Sequence, residues 1–533
     1  MIFLNKTYLR MVICFTLILS LFLVASTRIM VINSDEKILA AREQNLIMVT
    51  ISNLRKNIFD TNGYLLTGTK TKIIAVIPPR EETISYCSAV FFGDKKEKIM
   101  KTLNDNKPAV VEVEDEINCV GVINIEVPVY VSENTLCNHL LGYTDSSGHG
   151  VCAINKAYDS YLYTDKKITV KFASDGVGKI LTGIDPIIEE HEEVKSSGIK
   201  LTIDTKVQVA AENATKKLNK GAVIISEVGS GKIRAMVSKP TYNPENIEDF
   251  LNREDSPLLN RNLVGYNVGS AFKPCVAAAA LERKFDGSYI INCTGSTAID
   301  GNVFACHNLS GHGEINLGSA IINSCNSYFY NLAVNLGGSS IYEMSTVFGF
   351  GYSKTLCNTV STYGESMPSL NTLNESNRAL ANISIGQGQL LASPVTLLSL
   401  YEAIANGGVY HTPTVIEGFM ENGIVTEQSE SVYETRAISK ETADILKEYL
   451  KEVVISGTGK NAFSEKISVA GKTATAQTGW KKEDGKAVEH SWFCGFFPAE
   501  NPKYVAVVLV EDSEEESVSA TEIFRYIAEA LAP

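Results

Sequence analysis

The chain has 533 residues, 44% hydrophobic and 20% charged, with 48 basic against 61 acidic side chains for a net charge of −13. That length is too great for one ordinary core, so two or more domains are expected. The acidic balance argues against a general nucleic-acid binder, because phosphate contacts need clustered Lys and Arg.

The first predicted element is a membrane anchor. Between Arg10 and Arg28 lie 17 residues without a charge. As a helix rising about 1.5 Å per residue they span roughly 25 Å, and Arg28 can snorkel while Ile29 to Ile32 extend the span. Lys6 and Arg10 precede the run, which keeps the N-terminus cytoplasmic and exports the rest. A signal peptide cut near Ala25 and Ser26 is the rival reading; the length of the run and the lack of a clear A-x-A site favour the anchor. No second run of this length occurs, so a single-pass protein is expected.

Asp35 to Ile58 then reads as helix, with Ile38, Leu39, Ala41, Leu46, Ile47 and Ile51 at near-helical spacing. Asp60-Thr-Asn-Gly63 is a turn signal, and Tyr64-Leu-Leu66 starts a strand. Ala75 to Pro79, Ala109 to Val113 and Val120 to Val131 are strand-like. A charged and then Ser/Gly-rich stretch at 186–198 marks a domain boundary. Beyond it, Asp204 caps a predicted helix from Thr205 to about Leu218. Ala222–Ser226 and Ile233–Val237 form a hairpin around Val228-Gly-Ser-Gly231. Helical patterns follow at 274–284, 315–336, 391–406 and 440–456. Ser491–Phe497 and Tyr504–Val510 are strands, and a helix from about Ala520 to Leu531 closes the series. This order predicts an antiparallel sheet built from both ends of the second domain and packed with helices. The acidic run Glu511 to Glu516 reads as a solvated turn. Eleven cysteines occur, an odd number with no CxxC pair. Neither a zinc site nor a disulfide framework is read, and no cofactor. A Cys293–Cys306 bridge is one option, against buried free thiols.

Three short motifs carry the chemistry: Ser270-Ala-Phe-Lys273, Ser324-Cys-Asn326 and Lys472-Thr-Ala474. Serine needs a base before it attacks a carbonyl. Ser270 and Lys273, three apart, share one face of a helix that starts near Ser270, and Pro274 fits its first turn. A lysine free of its proton must be desolvated or lie near another positive charge. Ser324 can relay a proton and Asn326 can hold a substrate amide. Lys472 supplies positive charge from a strand; Thr473 and Thr475 can bind a carboxylate, and the strand edge can pair with an extended peptide. Each motif alone is weak. Ser197-Gly-Ile-Lys200 also fits the first pattern, and Ser369-Leu-Asn371 the second, but neither decoy sits beside a long apolar run.

The three motifs in this order resemble those of class B penicillin-binding proteins, the membrane-anchored peptidoglycan transpeptidases. Further matching segments are Arg55 with Asp60, Asn62 and Gly63; Leu201-Thr-Ile-Asp204; Asn260-Arg-Asn262; Phe348-Gly-Phe-Gly351; Ile385-Gly-Gln-Gly388; Ala405-Asn-Gly-Gly408; and Trp492-Phe-Cys-Gly-Phe496. The resemblance implies an α+β chain. Residues 1–34 would be the cytoplasmic tip and anchor, 35–195 an elongated, mixed α/β non-catalytic domain, and 196–533 a transpeptidase domain with an antiparallel sheet packed by helices. It implies that Ser270 attacks the penultimate D-alanine of a stem peptide, with Lys273 as base. Ser324 passes the proton to the departing D-alanine, Asn326 orients substrate and Lys472 tunes the pair. Thr473 and Thr475 hold the terminal carboxylate, and the amides of Ser270 and Thr475 form the oxyanion hole. A second stem peptide takes the acyl group, and β-lactams acylate Ser270. Ala474 stands where the family usually has glycine, so its methyl is expected to narrow the cleft. With no glycosyltransferase-like segment before residue 200 and no repeats after the last helix, the chain is expected to work beside a polytopic glycan polymerase. A D,D-carboxypeptidase or β-lactamase, and a scaffold or β-lactam sensor on a weakened site, are the rival functions.

Overall fold

The computed structural model describes residues 6–28, 45–132, 135–285, 288–428, 432–482 and 484–533. The chain forms two compact units: Met1–Leu54 with Thr71–Pro128 and Asp165–Glu192, and Arg55–Lys70 with Val129–Thr164 and Glu193–Pro533. The chain therefore passes between units more than once, where the sequence suggested one boundary at 195/196.

The N-terminal helix spans Lys6–Thr27, and Tyr8–Thr27 is long and apolar enough to cross a membrane. The helix predicted over 35–58 is a correction. Residues 29–44 lie outside the described residues, and Leu46–Arg55 is a strand followed by another at Asn57–Phe59. Ile47, Val49 and Ile51 alternate along this segment, and β-branched residues at period two suit a pleated strand better than a helix. Leu65 makes only an isolated bridge to Phe59, so Tyr64–Leu66 does not become a full strand.

The first unit holds a three-stranded sheet in the order Ala109–Val113, Lys70–Ile77, Ile123–Val129. Helices Glu81–Val90 and Gly93–Asn104 accompany it, and Ala75, Ile77, Cys87, Ile99, Leu103 and Val111 form a small core.

The second unit is built on a five-stranded antiparallel sheet. Its strands are β1 (Gly221–Glu227), β2 (Ile233–Lys239), β3 (Ala470–Lys481), β4 (Ala487–Phe497) and β5 (Tyr504–Val510), in the spatial order β2-β1-β5-β4-β3. The sheet is drawn from both ends of the unit, as the element order predicted. Alternation along each strand supplies two apolar faces. Ile224, Trp492, Cys494, Phe496, Val505 and Val507 join the helical core that includes α2 (Lys273–Glu282). Val223, Phe493, Phe497, Val508 and Val510 pack with Val207 of α1 (Thr205–Ala214) and with Ile523, Phe524 and Ile527 of the C-terminal helix Ala520–Ala530.

Local caps set where the helices begin. Asp204 accepts from the backbone N–H groups of Lys206 and Val207, as predicted. Ser393 caps Pro394–Ala405, a helix buried along its whole length, and Ser519 with Glu522 forms a capping box. The pattern over 315–336 is two helices, α3 (Leu317–Ile322) and α4 (Asn326–Leu336). Ser324 breaks it with φ +55°, a conformation that costs a side-chain-bearing residue roughly 1–2 kcal/mol.

The matching segment before residue 200 belongs to this unit. Arg55 donates to Asp159 at 2.7 Å and to the carbonyl of Asn155 at 2.9 Å. Asp60, fully buried, accepts from the backbone N–H and hydroxyl of Thr205 at 3.1 and 2.7 Å.

Candidate active site

The site starts at a turn that only glycine fits. Gly269 has φ +54°, and a Cβ there would lie 2.7 Å from the Thr475 carbonyl of β3. Its N–H donates to Gly386 O at 3.0 Å. Close approach of backbone to strand therefore places the next residue, Ser270, against β3. Ser270 sits in a 3-10 turn, Gly269–Phe272, which runs into α2 with Pro274 in its first turn.

Lys273 points from the start of α2 into the interior, where it is fully buried. Its Nζ donates to Ser324 O at 2.6 Å, to Ser324 Oγ at 3.2 Å and to Asn326 Oδ1 at 2.7 Å. Ser324 Oγ in turn donates to Ser270 Oγ at 3.1 Å. The left-handed backbone at Ser324 is what turns both its carbonyl and its hydroxyl toward Lys273. Burial pulls Lys273 down to about 7, because the acceptors around it are uncharged oxygens that do not repay the lost hydration. Lys472 on β3 is also fully buried and donates to Thr473 O at 3.0 Å. Burial, and then the positive charge of Lys273, hold it well below the ordinary lysine range. Of the two routes to a neutral lysine expected from the sequence, desolvation acts on Lys273 itself, while the nearby-cation effect falls on Lys472.

On β3, Thr475 is exposed and Thr473 half-buried. The Thr473 hydroxyl lies 2.7 Å from that of Thr458, a residue the sequence reading passed over. Ala474 is 5% exposed, pairs with Trp492 across the ladder and belongs to the apolar core. Its methyl is buried rather than held out over the exposed threonines.

The decoys fall elsewhere. Ser197 donates to Glu193 O at 2.6 Å and Lys200 lies in the strand Gly198–Leu201. Ser369 caps the helix Leu370–Glu375.

A second cluster adjoins the first. Cys293, Cys306, His312 and Cys325 bring one donor atom each to within 4.8 Å of one another. His312 Nδ1 lies 3.5 Å from Cys293 Sγ and 3.6 Å from Cys306 Sγ. A tetrahedral zinc with bonds of about 2.0–2.3 Å places its ligands roughly 3.5–3.8 Å apart, so this Cys3His set fits zinc. The backbone N–H of Tyr328 donates to Cys325 Sγ at 3.4 Å, the kind of outer bond that orients a ligand. The hydrogen bond with Cys325 holds the Cys306 thiol well below its usual range, and the same pairing pushes Cys325 up. All eleven cysteines are free, so the Cys293–Cys306 bridge does not form. The sequence reading sought close CxxC pairs; these four residues are spread over 33 positions and meet only through the fold. The signal it passed over is Cys325 itself, the middle residue of the second motif.

The sequence pattern of the penicillin binding protein transpeptidase domain matches residues 221–529. The chain is 29% identical over 501 residues to stage V sporulation protein D of Bacillus subtilis, covering 86% of this chain and 74% of that protein. It is 25% identical to the peptidoglycan D,D-transpeptidase MrdA of Acinetobacter baumannii, covering 90% of this chain and 80% of that one. Among solved structures, penicillin-binding protein 2 of Helicobacter pylori superposes with a TM-score of 0.67 at 20% identity, over 91% of this chain and 98% of that one. Penicillin-binding protein A of Mycobacterium tuberculosis, as a ceftriaxone acyl-enzyme, gives 0.65 at 20% identity, over 91% and 99%. At that identity the two structures speak to the fold.

Proposed function

This chain belongs to the penicillin-binding protein transpeptidases, and on that premise we propose that it is a class B enzyme that cross-links peptidoglycan stem peptides through an acyl-Ser270 intermediate. The observation that carries this is the hydrogen-bonded chain from Lys273 Nζ through Ser324 Oγ to Ser270 Oγ, with steps of 3.2 and 3.1 Å.

In the forward step Ser270 Oγ bonds to the carbonyl carbon of the penultimate D-alanine, and its proton goes to neutral Lys273. The oxyanion is held by the backbone N–H groups of Ser270 and Thr475, while Thr473 and Thr475 hold the terminal carboxylate. The D-Ala–D-Ala bond then breaks, and Ser324 passes the proton from Lys273 to the departing amine. Asn326 orients the substrate, and buried Lys472 tunes the Ser270–Lys273 pair electrostatically. The amine of a second stem peptide displaces Ser270, forming the cross-link and returning the proton. A β-lactam follows the first step, its ring amide opening as Ser270 is acylated.

The apolar helix anchors the chain in the membrane, with Lys6 and Arg10 keeping the N-terminus cytoplasmic and the catalytic unit outside. A polytopic glycan polymerase is the partner that such an enzyme needs for its substrate strands. Cys293, Cys306, His312 and Cys325 would be the residues to hold a zinc ion, whose part there would be structural.

Intact mass of the soluble segment after benzylpenicillin, beside Ser270→Ala, tests the reading. A lasting adduct on the wild type alone is expected. Drug consumed without a lasting adduct would make the protein a hydrolase; drug left intact by both proteins would make it a scaffold.

A further inference from the structure

Thr458 lies outside all three motifs, yet its hydroxyl stands 2.7 Å from that of Thr473. We propose that Thr458 is a positioning residue that sets the direction of the Thr473 hydroxyl and so fits it to the terminal carboxylate of the substrate. The inference rests on the role given to Thr473 above.

A threonine hydroxyl has one proton and two lone pairs. If Thr473 gave its proton to Thr458, it would face a carboxylate with lone pairs only and repel it. If Thr458 donates instead, the Thr473 proton is free, and the hydroxyl is polarised by the bond it accepts. A bound carboxylate, which only accepts, selects the second arrangement. Thr458 is an exposed residue, so its hydroxyl oxygen can take hydrogen bonds from water while its proton goes to Thr473.

The backbone around Thr458 is fixed, so the contact is held rather than incidental. Its N–H donates to Ile322 O at 3.3 Å, two residues before Ser324. Gly457 lies so close that a Cβ there would come within 2.3 Å of the same oxygen. Gly459 N–H donates to Val453 O at 2.9 Å, tying the loop to the helix Lys440–Ile455. One loop thus grips the backbone that leads into the Ser324 turn while its side chain meets β3. A threonine serving only to close this loop would do so through its backbone, and its hydroxyl would have no need of Thr473.

The test compares two thioester substrates of one acyl-D-alanine, one with thioglycolate as leaving group and one with thioglycolate methyl ester. They differ only in the carboxylate. Thr458→Val keeps the shape and removes the hydroxyl; Thr458→Ser restores it. Weakening a hydrogen bond to a charged group should lower kcat/KM for the carboxylate substrate about tenfold. The methyl ester should change less than about twofold, Thr458→Ser should recover most of the loss, and the melting temperature should hold. Equal losses on both substrates, or none on either, would overturn the proposal. If Thr458→Val does not fold, Thr458→Ala carries the same comparison. Wild-type protein acylated by neither thioester would sink the transpeptidase reading itself, a result distinct from an acylated wild type whose preference the variant leaves unmoved.

Discussion

Two clusters meet at residues 324–326 and use them in opposite ways. Ser324 and Asn326 turn to Lys273, at 2.6–3.2 Å; Cys325, between them, joins Cys293, Cys306 and His312. The first cluster is a set of hydrogen bonds around a lysine that must lose its proton. The second is a set of soft donors suited to hold a cation. The first suits reactivity from a destabilised group; the second, if it held a metal, would brace the strained turn that carries Ser324 and Asn326. On the proposed reading, activity and stability would be divided between neighbouring residues of a single tripeptide.

The largest effect should come from Ser270, the proposed nucleophile. Ser270→Ala should abolish the penicillin adduct in intact-mass measurements while leaving the fold unchanged.

Lys273→Met should lower the acylation rate about a hundredfold to ten-thousandfold. It should also raise the melting temperature at pH 7, because a buried lysine without a counter-charge is replaced by an apolar side chain of similar length. In wild type the Lys273 value, about 7, lies below its ordinary 10.5. Between these the unfolded chain binds the extra proton, so this residue's contribution to stability rises as pH climbs through that window and is lost as pH falls. Acylation should rise over the lower end of the same window, as Lys273 becomes neutral. A flat rate profile from pH 6 to 8.5 would contradict its role as base.

Cys293→Ser should act on the other cluster. Metal analysis should give about one zinc per wild-type chain and far less in the variant, with melting lowered by roughly 2–4 °C for a loss of about 2–3 kcal/mol. Acylation should fall less than in Lys273→Met, through loosening of the Ser324 turn. A metal-free wild type would leave the cluster as packed thiols and end the division of labour.

Ala474→Gly should do least, about threefold or less in β-lactam acylation, because the methyl is buried in the core. A much larger gain would show that it obstructs the cleft after all.

The same contrast explains what the sequence made legible. The hydrogen-bonded cluster was readable because Ser270 and Lys273 are three apart on one helix and Ser324 and Asn326 two apart at one turn, so local geometry placed them. The sheet was readable because β1, β2 and β5 are runs of apolar and β-branched residues, buried on both faces, and glycines mark the turn between β1 and β2. The Cys/His set was not, since no ligand pair lies within one turn and only tertiary structure gathers them. Thr458 escaped for the same reason: it meets Thr473 across 15 positions of chain. The strand at Leu46–Arg55 was misread because its apolar residues fit both periods, and pairing in a sheet decided between them. Ser324 interrupted a helix that propensity alone would have continued, which is how a functional turn shows itself against local preference.

The order of the catalytic sheet has a consequence for how the protein comes into being. β5 lies at the centre, between β1 and β4, yet it is the last strand synthesised. Until Tyr504–Val510 emerges, β1–β2 and β3–β4 are two unjoined hairpins, separated by more than two hundred residues that already contain Ser270 and Ser324. Closing that span is slow, as pairings distant in sequence are. A nascent chain thus carries Ser270 through nearly half of its synthesis before the sheet can close, and competence arrives at one late step.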